Sequence, residues 1–296
     1  MEKRASGRVA LLLGLLGIAT SGPFFVMSGL QPFSAAFWRT LLAGSLAMLI
    51  ARLRGELDLS LLRRHARGLV LTGLLFGTHF LLWVKAFELT DFASNLLLLV
   101  AQPVSAALLD RMLGRALPPR ALLSLGLAMA GMLLVAGADI SLGPRALLGD
   151  AMCVVAGFLG AMMYVSGLEA RRALSMNAFL GSTCLVASCL ALPVALIADV
   201  PLWCFSATSW QWLLAMVVIT TLLGHGMLNT AARTLSLFTV NIVIVLEPVL
   251  AILLGAWLFG ASIGWLQVAG GVLLTAAVFP LVFAARPTNA SPDLAH

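Results

Sequence analysis

Arg39, His79, His225 and Glu247 stand inside long apolar runs of a 296-residue chain. An ionisable group in such a run is costly, so each is a functional candidate by default. Trp83 follows His79 by four residues and Asn229 follows His225 by four, which on a helix puts each pair on one face. One pair offers imidazole with indole, the other imidazole with amide. A cavity walled by such groups binds a polar or zwitterionic solute and exchanges protons near neutral pH. The competing reading is two structural histidines that bridge helices through hydrogen bonds. Glu247 precedes Pro248, which disfavours ordinary helix and removes a backbone hydrogen bond. Gln102-Pro103 repeats the arrangement with a neutral side chain, kinks at the two prolines free carbonyls near Leu99 and Ile244, and Glu247 is a candidate for a coupling proton or a substrate amine. Its plainer role is a neutral acid bonded to a neighbouring helix. Arg39, about 9 Å into its run by helical rise, either snorkels outward or attracts a substrate carboxylate.

Other candidates are weaker. Lys85 and Glu88 read as an interfacial pair, and Asp110, Asp150 and Glu169 as charges at helix ends. Gly73-x-x-x-Gly77 reads as a close-packing motif. Cys153, Cys184, Cys189 and Cys204 lack metal or CxxC spacing, and only His79 and His225 lie in spans, so no metal site is expected. Neither a Walker sequence nor G-x-G-x-x-G occurs, and no cofactor is expected.

The elements that must carry these residues follow from composition. The chain is 61% apolar and 10% charged, against roughly 45–50% and about 25% for a soluble domain. Its mean hydropathy is +1.05. These values imply an all-α polytopic membrane protein, because only helices satisfy the backbone of continuously apolar runs in lipid. Ten transmembrane helices are expected at about 9–30, 33–51, 68–88, 92–112, 120–138, 146–168, 177–199, 210–231, 237–259 and 264–284. The first run mimics a signal peptide, but no clear cleavage pattern follows it, so an uncleaved span is expected. Alternate loops hold Lys3, Arg4, Arg8, Arg52, Arg54, Arg63, Arg64, Arg67, Arg111, Arg115, Arg120, Arg171, Arg172, Arg233 and Arg286, while the opposite loops hold only Arg145. The positive-inside rule then puts both termini in the cytoplasm and Trp203, Trp210 and Trp212 at the outer interface. This distribution, not nucleic-acid binding, explains the net charge of +6.

The halves match each other. The segment from His79 to Asn95 aligns without a gap to the segment from His225 to Asn241, pairing Leu89 with Leu235, Thr90 with Ser236 and Phe92 with Phe238. After a one-residue deletion, Gln102-Pro103-Val104 meets Glu247-Pro248-Val249. The expected organisation is a first five-helix repeat at 1–140, a second at 141–286 and a short cytoplasmic tail at 287–296. An odd number of helices inverts the second repeat, an architecture recurrent in transporters, with substrate bound near the midplane between repeats.

The chain resembles the drug/metabolite transporter superfamily in its ten-helix EamA-type branch. The carrying residues are Phe37-Trp38-Arg39, His79-Phe80-x-x-Trp83 and Ala93-Ser94-Asn95 through Gln102-Pro103, with Gly224-His225-x-x-x-Asn229 and Leu246-Glu247-Pro248 in the second half. It departs at the L-G-E-like sequence often found after the fourth and ninth spans, here Leu113-Gly114-Arg115 and Phe259-Gly260-Ala261. The resemblance implies an integral protein of a bacterial inner membrane. It would be a secondary transporter, leaning to export of amino acids or related metabolites, working by alternating access without ATP and with protons as a candidate coupling ion. His79, Trp83, Asn95, Gln102, His225, Asn229, Asn241, Glu247 and Arg39 are the expected substrate-binding residues. The alternatives are an intramembrane enzyme acting on lipid, which the short loops and lack of an acid-base cluster disfavour, and a channel-like or structural subunit.

Overall fold

A computed structural model describes residues 2–112, 119–235, 246–277 and 279–282. The first half comprises helices α1 (Glu2–Ala19), α2 (Ser21–Ser28), α3 (Pro32–Leu53), α4 (Leu59–Arg64), α5 (Ala66–Ala86), α6 (Phe92–Leu98), α7 (Ala101–Met112) and α8 (Pro119–Asp139). A 3-10 turn, Ile140–Leu142, leads into the second half. There α9 (Pro144–Ser166), α10 (Leu168–Ala173) and α11 (Met176–Ile197) are followed by α12 (Ala207–Ala215). Helix α12 runs on as π-helix over Met216–His225 and then as α13 (Gly226–Thr234). The described chain closes with α14 (Glu247–Phe259), α15 (Trp265–Ala276) and α16 (Phe279–Val282). No strand occurs among the described residues.

Among the described residues seven segments are long and apolar enough to cross a membrane: Gly7–Ser28, Pro32–Leu53, Ala66–Ala86, Leu122–Asp139, Pro144–Met163, Met176–Ile197 and Ala207–Ala231. Helices α14 and α15 are apolar but shorter. The run expected at 92–112 is not one helix; it breaks at Leu99–Val100 into α6 and α7. Of the run at 237–259, only the part from Leu246 is described, and the tail at 287–296 lies outside the described residues.

Small residues set the closest helix contact. Ala43, Ala47 and Ala51 recur every four residues on α3, and Ala187, Ala191 and Ala195 do so on α11. All are buried, and the two helices pack along their length. A Cβ added to Gly44 would stand 2.9 Å from the Leu185 backbone nitrogen. Stripes of small residues let backbones approach where lipid supplies no hydrophobic drive. The Gly73/Gly77 motif does the same between α5 and α11, facing Val186 and Ala187. Helix α5 also packs on α9, α1 on the π-helical segment and α13, and α8 on α15. The opposite faces are greasy and open: Leu133 is 71% exposed, Ile197 86% and Trp257 79%. In water such a surface would aggregate; against acyl chains it is solvated.

Outside the spans, Asp58 caps α4 by accepting from the Ser60 and Leu61 backbone N–H groups. The Ser60 hydroxyl also donates to it, and these bonds hold its carboxyl below the usual range.

Candidate functional site

Four interruptions of regular helix surround one cavity. Pro23 has no N–H for the Ala19 carbonyl, so α1 ends there and Thr20 and Ser21 turn away. Pro103 likewise sits near the start of α7, leaving Leu99 at the break. Met216–His225 is π-helical, a geometry frequent at functional sites. Pro248 is the second residue of α14, whose first is Glu247. Ser21, Leu99, His225 and Glu247, one from each interruption, line the cavity. Irregular backbone at membrane depth is tolerated where it lines such a space.

Arg39 reaches the cavity from α3. It is 2% exposed and does not snorkel. Its Nη1 donates to Ser21 Oγ at 2.7 Å and its Nε to Thr221 Oγ1 at 2.9 Å. The guanidinium carbon lies 4.6 Å from the centre of the Phe80 ring, within cation–π range. Among the described residues no carboxylate is within ion-pair distance of it. A charge at bilayer depth costs about 2.5–3.5 kcal/mol on insertion scales, yet here two hydroxyls and a ring face are its partners.

Gly17 and Gly224 permit this arrangement. A Cβ on Gly17 would be 2.6 Å from the Gly224 Cα, so α1 and the π-helical segment touch backbone to backbone. That contact brings the Thr20 and Thr220 hydroxyls to 2.6 Å.

His79 is held from the other half. Its Nδ1–H donates to the Ala156 carbonyl of α9 at 2.7 Å, which leaves Nε2 as an acceptor. Gly160 of α9 makes the room: a Cβ there would stand 2.6 Å from Gln102 Oε1 and 3.3 Å from His79 Nδ1. His225 has no hydrogen-bonded partner of that kind among the described residues; its ring meets the edge of Phe76, with centres 6.2 Å apart.

Phe76, Phe80, Trp83 and Phe87 form an aromatic stripe at helical spacing along α5. Trp83 is buried and lines the cavity, but its indole Nε1–H has no partner among the described residues. Buried indole donors ordinarily find one. This stripe was readable from its spacing, and sequence reasoning took only Trp83 from it.

The cavity therefore gathers Arg39, His79, Trp83, Gln102, His225 and Glu247 of the expected residues. Ser21, Phe76 and Met163, which sequence reasoning did not single out, join them, as do Phe80 of the His79 motif and Leu99 of the expected kink. Asn95 does not line it: fully buried, its Nδ2 donates to the Trp83 carbonyl at 3.2 Å and so supports the end of α5. Asn229 lines a second, smaller cavity with Arg171, Thr72 and Thr183. There its Oδ1 accepts from Arg171 Nε at 2.8 Å. Arg171, counted in the sequence among the positive charges of the cytoplasmic loops, is buried, its guanidinium 4.9 Å from the Phe179 ring centre. Asn241 lies outside the described residues.

Phe76, Met163 and His225 line both cavities and form the partition between them. The larger cavity offers only about 50 Å³ to the centres of water molecules. That holds a few waters, so an organic solute enters only if the bundle opens.

Comparison with known proteins fits this geometry. The sequence model of the EamA-like transporter family matches twice, over residues 5–137 and 147–283. An uncharacterized transporter of Archaeoglobus fulgidus is 28% identical over 282 residues, covering 92% of this chain and 94% of its own. A crystal structure with 18% identity superimposes with a TM-score of 0.72 over 95% of this chain and 98% of that one, a likeness of fold. The chain belongs to the EamA-like transporter family.

Proposed function

As a member of that family the chain is an integral membrane transporter, and we propose that it moves small zwitterionic solutes such as amino acids or related metabolites. The observation that carries this reading is a cavity holding an arginine with no counter-anion at ion-pair distance among the described residues, and a carboxyl group at another wall. Arg39 meets a substrate carboxylate, and Glu247 its amine. His79 Nε2, Gln102 and the Trp83 indole N–H supply neutral polar contacts, while the Phe76–Phe80–Trp83 stripe covers an apolar side chain. A bidentate guanidinium–carboxylate pair favours the planar anion over sugars or nucleosides.

Transport proceeds by alternating access between two inverted five-helix repeats, residues 1–140 and 141–286. The doubled family match and the packing support this. Exchanging the halves turns the α5–α9 contact into that of α1 with the π-helical segment and α13, and maps α3–α11 and α8–α15 onto themselves. The bundle then has ten spans with both termini in the cytoplasm of a bacterial inner membrane, and solute leaves the cell. No nucleotide motif occurs in the sequence, so gradients drive the cycle.

The test is counterflow into proteoliposomes with labelled amino acids, amines, monocarboxylates, nucleosides and sugars. Saturable exchange of amino acids, cut tenfold or more by Arg39→Lys, supports the reading. Exchange of sugars or nucleosides alone overturns it. Cysteines introduced singly at Gly143 and Arg172, after removal of the native four, should label from opposite faces. Labelling from one face sinks the inverted topology.

A further inference from the structure

Beyond the central cavity, Thr90, Asp139 and Asp150 converge at one end of the bundle. Thr90 lies in the turn between α5 and α6, Asp139 ends α8 and Asp150 lies in the second turn of α9. Asp139 is 2% exposed and Asp150 5%. The Thr90 Oγ1 is 2.8 Å from Asp139 Oδ2 and 2.6 Å from Asp150 Oδ1. A hydroxyl has one hydrogen and cannot donate along both contacts. If it donates to one carboxylate, the other contact needs a carboxyl O–H that donates to Thr90. Among the described residues Asp150 Oδ2 is buried without a hydrogen-bond partner, which an ionised oxygen in that position would not tolerate. Both carboxyls therefore meet at the one Thr90 hydroxyl.

No cation supplies the missing positive charge. Lys85 at the end of α5 pairs with Glu88 and faces the Phe33 ring. Arg145 of α9 donates to the Glu88 carbonyl. Asp91, the cap of α6, takes Ala93 N–H and Gln267 Nε2 of α15. Cys153, one turn beyond Asp150, is a buried cysteine and carries no positive charge. Among the described residues no lysine or arginine is within ion-pair distance of Asp139 or Asp150.

We propose that Asp139 and Asp150 are a proton-binding dyad, one proton held between them with Thr90 as the bridging hydroxyl. The dyad spans the junction of the halves, since Asp139 closes the first and Asp150 opens the second. With the proton bound, α8, α9 and the α5–α6 turn are latched together. Its release to water as hydronium leaves two facing carboxylates, whose repulsion parts that end of the bundle. The link to transport rests on the two-half reading above; the bound proton does not.

Infrared difference spectroscopy on the full chain in nanodiscs tests the proton directly. At pH 7, wild type minus Asp150→Asn should contain one protonated-carboxyl C=O band, and wild type minus Asp139→Asn the same band. Asparagine keeps the shape and donates to Thr90, and the second variant covers a folding failure of the first. Thr90→Val should shift that band, whereas exposed Glu88→Gln should contribute only ionised carboxylate bands. If both Asp differences contain only ionised carboxylate at pH 7, the dyad is wrong. If ionised bands instead move on adding sodium or calcium ions, the cluster is a metal-cation site and the proposal falls. In proteoliposomes, Asp150→Asn should flatten the pH dependence of solute exchange seen in wild type. If wild type exchanges no solute, the transport reading fails, while the infrared band still decides the dyad.

Discussion

His79 projects from an unbroken stretch of α5 and donates Nδ1–H to the Ala156 carbonyl, so its ring has one orientation. His225, which the match between the two sequence halves pairs with it, closes a π-helical segment and touches the Phe76 edge from the partition between two cavities. Equivalent sequence positions have thus acquired unequal roles. One imidazole is anchored and presents a fixed acceptor. The other lines two chambers and has no such hydrogen bond among the described residues. The difference arises in the backbone: the π-helical segment, pressed on α1 at Gly17 and Gly224, shifts the register by which His225 faces its neighbours.

The largest way to break the comparison is at Gly224. A Cβ there would meet the Ile18 backbone nitrogen at 2.8 Å, and neither backbone can yield cheaply. Gly224→Ala should cost about 1–3 kcal/mol of stability, as overpacked interiors do, measured as a fall in melting temperature in detergent. An unchanged melting temperature would mean that α1 and the π-helical segment are not in contact.

Next come the histidines. His225→Ala should slow exchange about tenfold, the worth of roughly 1.4 kcal/mol, with melting unchanged, because cavity water replaces the ring. His79→Ala should slow exchange too, but it removes the interhelical bond to the Ala156 carbonyl and should cost about 0.6 and up to roughly 1.7 kcal/mol. Equal stability losses would erase the distinction between anchored and free imidazole.

Gly160→Ala should be milder than Gly224→Ala, under about 1.5 kcal/mol. The added methyl meets the far end of Gln102, which can swing aside. Its clearer signature is altered solute selectivity, since Gln102 and His79 both move. An effect as large as that of Gly224→Ala would show that Gln102 is locked.

The smallest expected effect is a control in acid. The Asp58 carboxyl is held below its usual range in the folded chain, so its capping contribution is complete above the ordinary aspartate range. It fades as pH falls through the lower folded value. Asp58→Asn should remove this acid limb from hydrogen exchange of α4 while leaving solute exchange unchanged. Loss of solute exchange in that variant would tie α4 to the transport path.

Much of the site was legible by residue type. Arg39, His79, Trp83, Gln102, His225 and Glu247 stand out because polar groups in apolar runs are rare and costly. Their partners were not legible. Thr221, which accepts from Arg39, is 182 residues away in sequence and is one hydroxyl among many. Asp150 was read as a helix-end charge, because position along a span says nothing about a second carboxylate brought beside it by another helix. Asn95 was assigned to the cavity from its repeat match, yet its helix turns it onto the Trp83 carbonyl.

What the sequence determined by itself is a membrane-embedded helical chain of the EamA type, because composition and long apolar runs report the solvent in which a backbone can satisfy itself. Short motifs with His, Pro and Asn in register likewise report ancestry. Tertiary structure alone decided which breaks meet at one cavity, which histidine is anchored, which arginines are buried and which two aspartates share a hydroxyl. Those outcomes depend on distances of a few ångströms between helices remote in sequence. Glycine contacts and the π-helical register set such distances, and no local pattern encodes them.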